Sequence, residues 1–243
     1  MSFRTVAVIP ARYGSTRFPG KPLALIAGKQ MIQRACESTM CCPDIDEVIV
    51  ATDDQRIADV VHGFGGKAVM TSPDHKTGTD RIAEAIQDIP ADLIINVQGD
   101  EPMMAHEVLS DLIKNMRKTG ADMGTAAVPF SISGRSPEDP NAVKVVCDSR
   151  GFALYFSRSL IPFPRNGGQK VEPLLHWGLY AYTRKFLQQF VNWPQGMLEN
   201  CEMLEQLRAL ENGARIWVLV TQHRSVGVDV PEDITLVEKL LQE

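Results

Sequence analysis

Residues 10 to 21 of the chain read PARYGSTRFPGK. Three cations, Arg12, Arg17 and Lys21, fall within ten residues, with Ser15 and small residues between them. Cations beside exposed backbone N–H groups suit a polyphosphate; a solvated basic turn has the same composition. Neither familiar phosphate loop fits. A P-loop needs G-x-x-x-x-G-K-[ST], but Gly14 and Gly20 are one residue too far apart, and Pro22 stands where the hydroxyl belongs. The fingerprint G-x-G-x-x-G is absent, and its nearest approach, Gly63 to Gly66, leads into a short strand instead of a helix. A loop without the P-loop hydroxyl needs another way to offset a triphosphate, and a metal held by carboxylates at strand ends supplies one. Asp100 in NVQGDEP directly follows a strand that reads as buried, and the GD turn aims it into a cleft. Asp229 in GVDVPED lies between a strand and a helix. Taken alone it reads better as a turn or helix-start acid.

The elements that must position these groups alternate over the first 130 residues. TVAVI, EVIVAT, KAVM, DLIINV and DMGTAAVPF read as strands. Residues 30–40, RIADVVHGF, DRIAEAIQDI and residues 106–118 have apolar positions at helical spacing. Alternation with continuous apolar strands predicts an α/β fold, a mostly parallel Rossmann-like sheet flanked by helices. Ligands of such sheets sit beyond the carboxyl ends of strands, where PARYGSTRFPGK, ATDD and QGDEP all fall. After about residue 131 the pattern changes. AVKVVCD, FALYFSR and HWGLYAY are strand-like without full helices between them. They predict a smaller antiparallel lobe, about 131–190, inserted in a single domain spanning 1–243 and serving a second substrate or dimerisation. Helices return at 184–190 and as one element over 198–212, ended by Gly213. RIWVLV is a late strand and PEDITLVEKLLQE a terminal helix with acids in its first turn.

Bulk properties exclude several classes. A net charge of -5 over 243 residues argues against a nucleic-acid or anionic-membrane binder, so the basic loop is a local feature. No stretch approaches the ~20 apolar residues of a membrane span, and the N-terminus meets charge and proline too early for a signal peptide. Five cysteines without a C-x-x-C pair predict reduced thiols in a cytoplasmic protein, and five scattered histidines argue against zinc.

PARYGSTRFPGKPL, ATDD, GTDRIAEA, NVQGDEP, NAVKVV, ALYFSRSLIP, HWGLYAY, EMLEQLRAL and GVDVPED occur in an order that resembles the 3-deoxy-manno-octulosonate (Kdo) cytidylyltransferases. The resemblance runs from residue 5 to residue 240. It implies a nucleotidyltransferase of the sheet type above that transfers CMP from CTP to Kdo, with Mg2+, as a cytoplasmic homodimer serving lipopolysaccharide biosynthesis. It also implies roles. Arg12, Ser15 and Lys21 would contact the triphosphate, and Arg81 and Gln98 would seat the nucleotide. Asp100 and Asp229 would hold the metal and, with Lys21, carry the catalysis. Arg158, His176, Tyr180, Glu205 and Gln206 would hold the acceptor sugar. An acid sugar needs a cation or donors for its carboxylate, and Arg158 and His176 are of the right type. Residue by residue there is a plainer reading: a surface arginine, a core histidine, a solvated helix face. Val230 stands where the family more often has Thr, and Trp177 is bulkier than usual there. An 8-amino analogue of Kdo, another sugar acceptor and a non-catalytic nucleotide-binding protein are the competing readings. HWGLY and EMLEQLR argue against another sugar, and the retained loop cations and acids argue against loss of catalysis.

Overall fold

The computed structural model describes residues 3–14, 18–165, 171–224 and 226–242. The chain forms two compact units, Met1–Ser110 with Ser225–Glu243, and Asp111–Arg224. The first unit begins with β1 (Thr5–Ala11), followed by the short hairpin β2 (Leu25–Ile26) and β3 (Lys29–Gln30). Then come α1 (Met31–Met40), β4 (Glu47–Thr52), α2 (Gln55–Gly63), β5 (Lys67–Met70), α3 (Gly78–Ala85) and β6 (Leu93–Asn96). Its strand order is β6-β1-β4-β5. Each of these pairings is parallel, with registers such as Val6↔Glu47, Thr5↔Leu93 and Ile49↔Lys67. Val6 to Ile9 and Ile94 to Ile95 are fully buried. Continuous apolar runs are what a strand covered on both faces requires.

The hairpin has no period-2 pattern and is not foreseen by the sequence reading. Its turn puts Ala27 and Gly28 at φ 43° and 79°. Both residues at positive φ is the geometry of a tight two-residue hairpin.

The chain enters the second unit within α4 (His106–Thr119). There follow β7 (Met123–Pro129), α5 (Phe130–Ser133), β8 (Lys144–Cys147), β9 (Ala153–Ser157), β10 (Leu174–Thr183), α6 (Arg184–Phe190), α7 (Met197–Glu202), α8 (Gln206–Glu211) and β11 (Ile216–Val220). β11 runs parallel to β7, and β10 runs antiparallel to it. β8 pairs antiparallel with both β10 and β9. The antiparallel strands expected between 131 and 190 therefore lie inside this unit, which starts earlier and ends later. The single helix expected over 198–212 is broken: Met203 adopts φ 52°, ψ 47° and separates α7 from α8. The chain then returns to the first unit, where α9 (Asp233–Leu240) packs through Val237 against Ile26, Met31 and Val228.

Candidate active site

In the first unit the candidate groups gather beyond the carboxyl ends of β1 and β6. One cleft of about 230 Å3 is lined by Arg12, His75, Lys76, Gly78, Arg81 and Gln98. A second, of about 240 Å3, is lined by Arg12, Lys21, Gln98, Gly99 and Asp100, and the two share Pro10, Ala11, Arg12 and Gln98. Ser15 and Arg17 lie outside the described residues. The limbs of their loop are fixed by the Gly20 N–H, which donates to the Tyr13 carbonyl at 3.0 Å. Gly20 sits at φ 71°, and a Cβ there would stand 3.1 Å from the Tyr13 ring, so this position demands glycine. The Arg56 guanidinium lies over the Tyr13 ring, 3.4 Å from its centroid.

Lys21 follows in a single 3-10 turn. Its Nζ donates to Asp100 Oδ2 at 2.6 Å and to the Val228 carbonyl at 2.8 Å. The Val228 N–H donates to the Asp100 carbonyl at 2.9 Å. Asp100 and Asp229 therefore stem from hydrogen-bonded main-chain segments, and burial of Val228 anchors the second of them. Asp229 is exposed, and its N–H donates to Asp233 Oδ2 at 2.7 Å. Asp233 thus takes the loop-closing role that the sequence left open for Asp229. Val230 also donates its N–H to Asp233, at 3.0 Å.

Arg81 is buried, and its guanidinium donates to Thr71 Oγ1 at 2.5 Å and Asp53 Oδ2 at 2.9 Å. This gives ATDD a structural meaning: Asp53 holds Arg81 against the cleft wall, while Asp54 caps α2 by accepting from the Arg56 N–H. Gln98 has a long contact to Asn96, 3.4 Å. His75 was not singled out by sequence; its Nε2 contacts Glu84, which also accepts from the Ser72 N–H.

In the second unit the acceptor candidates assemble around a bulge. The β7–β10 register shifts between Trp177 and Tyr180, so that Thr125 pairs with Tyr180. A bulge re-aims side chains along a strand. Here His176 and Tyr180 come together with ring centroids 5.5 Å apart, and Phe156 packs edge-on against His176 at 5.0 Å. Trp177 is buried in the same strand. Desolvation pushes the His176 pKa down to about 3, so the ring is neutral and is not a cation for a carboxylate. Nε2 of His176 lies 3.0 Å from Thr125 Oγ1, which is 2.8 Å from the Leu179 carbonyl. The one hydroxyl proton serves that carbonyl, so Nε2–H donates to Thr125 and Nδ1 is left as the acceptor.

Burial raises the Tyr180 pKa well above the usual phenol value. The hydroxyl stays protonated and donates to Gln206 Oε1 at 3.3 Å. Gln206 is 3% exposed, and its Nε2 has no hydrogen-bond partner among the described residues. A buried donor left unmade is costly, and a bound hydroxyl or carboxylate would relieve it. Glu205 Oε1 lies 3.5 Å from Arg208 Nη2. Arg158 Nε donates to the Glu202 carbonyl at 2.7 Å, Nη1 to Pro140 at 3.0 Å and Nη2 to Met203 at 3.4 Å. Arg158 thus caps the C-terminus of α7, a role the spacing of ALYFSR does not betray.

The cytidylyltransferase family pattern matches residues 6–216. A 3-deoxy-manno-octulosonate cytidylyltransferase from Syntrophotalea carbinolica is 52% identical, over 97% of this chain and 98% of that protein. One from Geobacter sulfurreducens is 49% identical, over 98% of each. Among solved structures, a CMP:2-keto-3-deoxy-manno-octonic acid synthetase complexed with CTP superposes with a TM-score of 0.92 at 44% identity, covering 98% of both chains. The 4-diphosphocytidyl-2C-methyl-D-erythritol synthase of Anaerococcus prevotii, at 15% identity and a TM-score of 0.64 over 99% of both chains, shares the fold alone. By its motifs, its strand order and these relatives, the chain belongs to the 3-deoxy-manno-octulosonate cytidylyltransferase family.

Proposed function

We propose that the protein transfers a cytidylyl group from CTP to the anomeric hydroxyl of Kdo, releasing pyrophosphate. In the structure the observation that carries this reading is the Lys21–Asp100 pair on the cleft floor, with Lys21 Nζ also tied to Val228 beside Asp229. A cation and an acid stand together beyond the carboxyl end of β6, with Asp229 next in sequence to the carbonyl that Lys21 binds, which suits a charged nucleotide.

In the reaction the anomeric oxygen bonds to the α-phosphorus as the bond from that phosphorus to the α–β bridging oxygen breaks, and the hydroxyl proton is released to solvent as pyrophosphate leaves. Charge builds on the phosphoryl oxygens and on the leaving group. Arg12 and Lys21 offset it, and holding the two substrates in line needs no protein nucleophile. Gln98 and Arg81 border the nucleotide, the latter held rigid by Asp53 and Thr71. Asp100 and Asp229 fit a hard cation by donor chemistry. Among the described residues no group of three or more His, Cys, Asp or Glu could hold a metal. Mg2+ needs only one or two carboxylates when substrate phosphates complete its shell. Bound there, the ion would supply charge neutralisation of the triphosphate.

On the acceptor side, Tyr180, Gln206 and Glu205 offer hydrogen bonds to sugar hydroxyls, and His176 offers Nδ1 as an acceptor. Among the described residues Arg158 bonds only to carbonyls through its guanidinium, so its charge remains for the sugar carboxylate. The 3.4 Å contact to Met203 is the one most cheaply exchanged. Among the described residues no helix is long and apolar enough to cross a membrane. A cytoplasmic homodimer supplying lipopolysaccharide synthesis is the setting we propose from family membership.

The test is pyrophosphate release. It should require CTP, Kdo and Mg2+ together, with UTP, neutral hexose phosphates and other acid sugars as alternatives. Turnover of a neutral sugar phosphate with none of Kdo would overturn the proposal.

A further inference from the structure

The break at Met203 divides what the sequence reads as one helix, and it places Glu205 and Gln206 at the start of α8. A left-handed backbone at a non-glycine residue persists only where its surroundings over-determine it. Here they do so from both sides. Before the break, Glu202 is gripped by Ser157 Oγ (2.7 Å), the Arg158 N–H (2.9 Å) and Arg158 Nε. Across it, Arg208 of α8 forms a two-pronged pair with Glu199 of α7, Nε to Oε2 at 2.8 Å and Nη2 to Oε1 at 2.6 Å. Both side chains are about 95% enclosed, at 5% and 6% exposure. The guanidinium also stacks 4.7 Å above the Phe190 ring and reaches the Phe190 carbonyl. At the far end of α8, Glu211 accepts from the Leu198 and Glu199 N–H groups in the first turn of α7. Its carboxylate fills the space a Cβ on Gly196 would need.

We propose that Arg208 is a positioning residue for the acceptor sugar. This rests on the reading of Glu205 and Gln206 as acceptor ligands. Arg208 is enclosed by Glu199, Phe190 and Glu205, so it acts on the sugar through other side chains. The fork to Glu199 fixes how α8 leaves α7, and Nη2 facing Glu205 fixes that carboxylate. The Gln206 amide next to it then presents Nε2, which has no partner among the described residues. A lysine would retain the charge and lose the two-pronged geometry.

The experiment compares wild type with Arg208→Lys and Glu199→Gln in two readouts. In steady-state kinetics KM for Kdo should rise roughly ten- to hundredfold, as expected when ligand groups are misplaced by about 1 Å. KM for CTP should stay within about twofold of wild type. Without substrate, amide hydrogen exchange over 203–208 should quicken in both variants while exchange in β1 and β4 is unchanged. Arg208→Lys with wild-type KM for Kdo, or with equal rises for both substrates, overturns the proposal. So does unchanged exchange over 203–208. If Arg208→Lys does not fold, Glu199→Gln decides by the same criteria. Wild-type protein inert toward Kdo overturns the functional reading, and this inference with it.

Discussion

The two regions that bear the candidate groups use opposite electrostatics. In the first unit most of the side chains are charged and, apart from the buried Arg81, partly or fully exposed. Lys21 faces Asp100, and Arg12 and Lys76 are exposed. In the second unit the groups assigned to the acceptor are mostly neutral and half-buried, with Gln206 fully buried. His176 is kept neutral by burial, Tyr180 stays protonated for the same reason, and Gln206 is buried with a donor unmet among the described residues. A triphosphate brings several charges, and strong opposite charges at the ends of strands suffice to hold it. A sugar is recognised by many weak hydrogen bonds, which discriminate only when water is excluded and the donors are fixed.

The largest expected effect comes from removing the charge at the pair that anchors the nucleotide side. Asp100→Asn keeps the volume and removes the anion, so kcat should fall about a hundredfold or more with an unchanged circular dichroism spectrum. Asp229→Asn should also lose most activity, and a higher Mg2+ concentration should restore part of it in each. Near-wild-type turnover would take that acid out of the metal site. The next effect is on KM. Lys21→Ala should raise KM for CTP roughly ten- to hundredfold and leave Kdo saturation in place.

Arg158→Ala should act on the other substrate, with a rise in KM for Kdo of about tenfold. It should also lower the thermal midpoint, because α7 loses its cap. A fall in the midpoint with no change in KM for Kdo would make Arg158 a cap only. The smallest effect is on pH dependence. The folded His176 pKa, about 3, lies below its unfolded value near 6.5. Between these values the unfolded chain binds the extra proton, so stability falls as pH drops from about 6.5 toward 3, by at most about 1.4 kcal/mol per pH unit from this ring. His176→Gln should flatten that slope in chemical denaturation series between pH 7 and pH 5. An unaltered slope would place a charged or solvated ring at this position.

Sequence patterns made the first unit readable because each strand there is a continuous apolar run and each motif ends a strand. EVIVAT and KAVM match β4 and β5, and α1 and α2 lie within a residue of their expected spans, while α3 ends four residues before its expected end. Asp100 and Lys21 could be singled out from local context, and the structure joins them. The second unit hides its determinants in long-range geometry. The shift between Trp177 and Tyr180 depends on the pairing with β7, and the break at Met203 depends on Arg158 and Arg208. Helical periodicity continues straight through 198–212, so nothing local announces the break. Lys144 shows the same limit. It sits in NAVKVV as an apparent surface lysine, yet it is fully buried and donates to the carbonyls of Asp139, Ala142 and Arg158. Single-residue reasoning favoured a surface role for Arg158 and a core role for His176. The ordered motif set, through family resemblance, was needed to gather them into one group.

The division of labour between the two regions is tested most directly by a crossed titration of Lys21→Ala and Arg158→Ala. Initial rates of pyrophosphate release are measured over a grid of CTP and Kdo concentrations at fixed Mg2+. The account predicts that Lys21→Ala raises KM for CTP and Arg158→Ala raises KM for Kdo, each by about tenfold or more, while the other substrate's KM moves by less than about twofold. If Arg158→Ala weakened CTP saturation and left Kdo untouched, or if both variants shifted both substrates equally, the assignment of a charged nucleotide side and a largely neutral acceptor side would be contradicted.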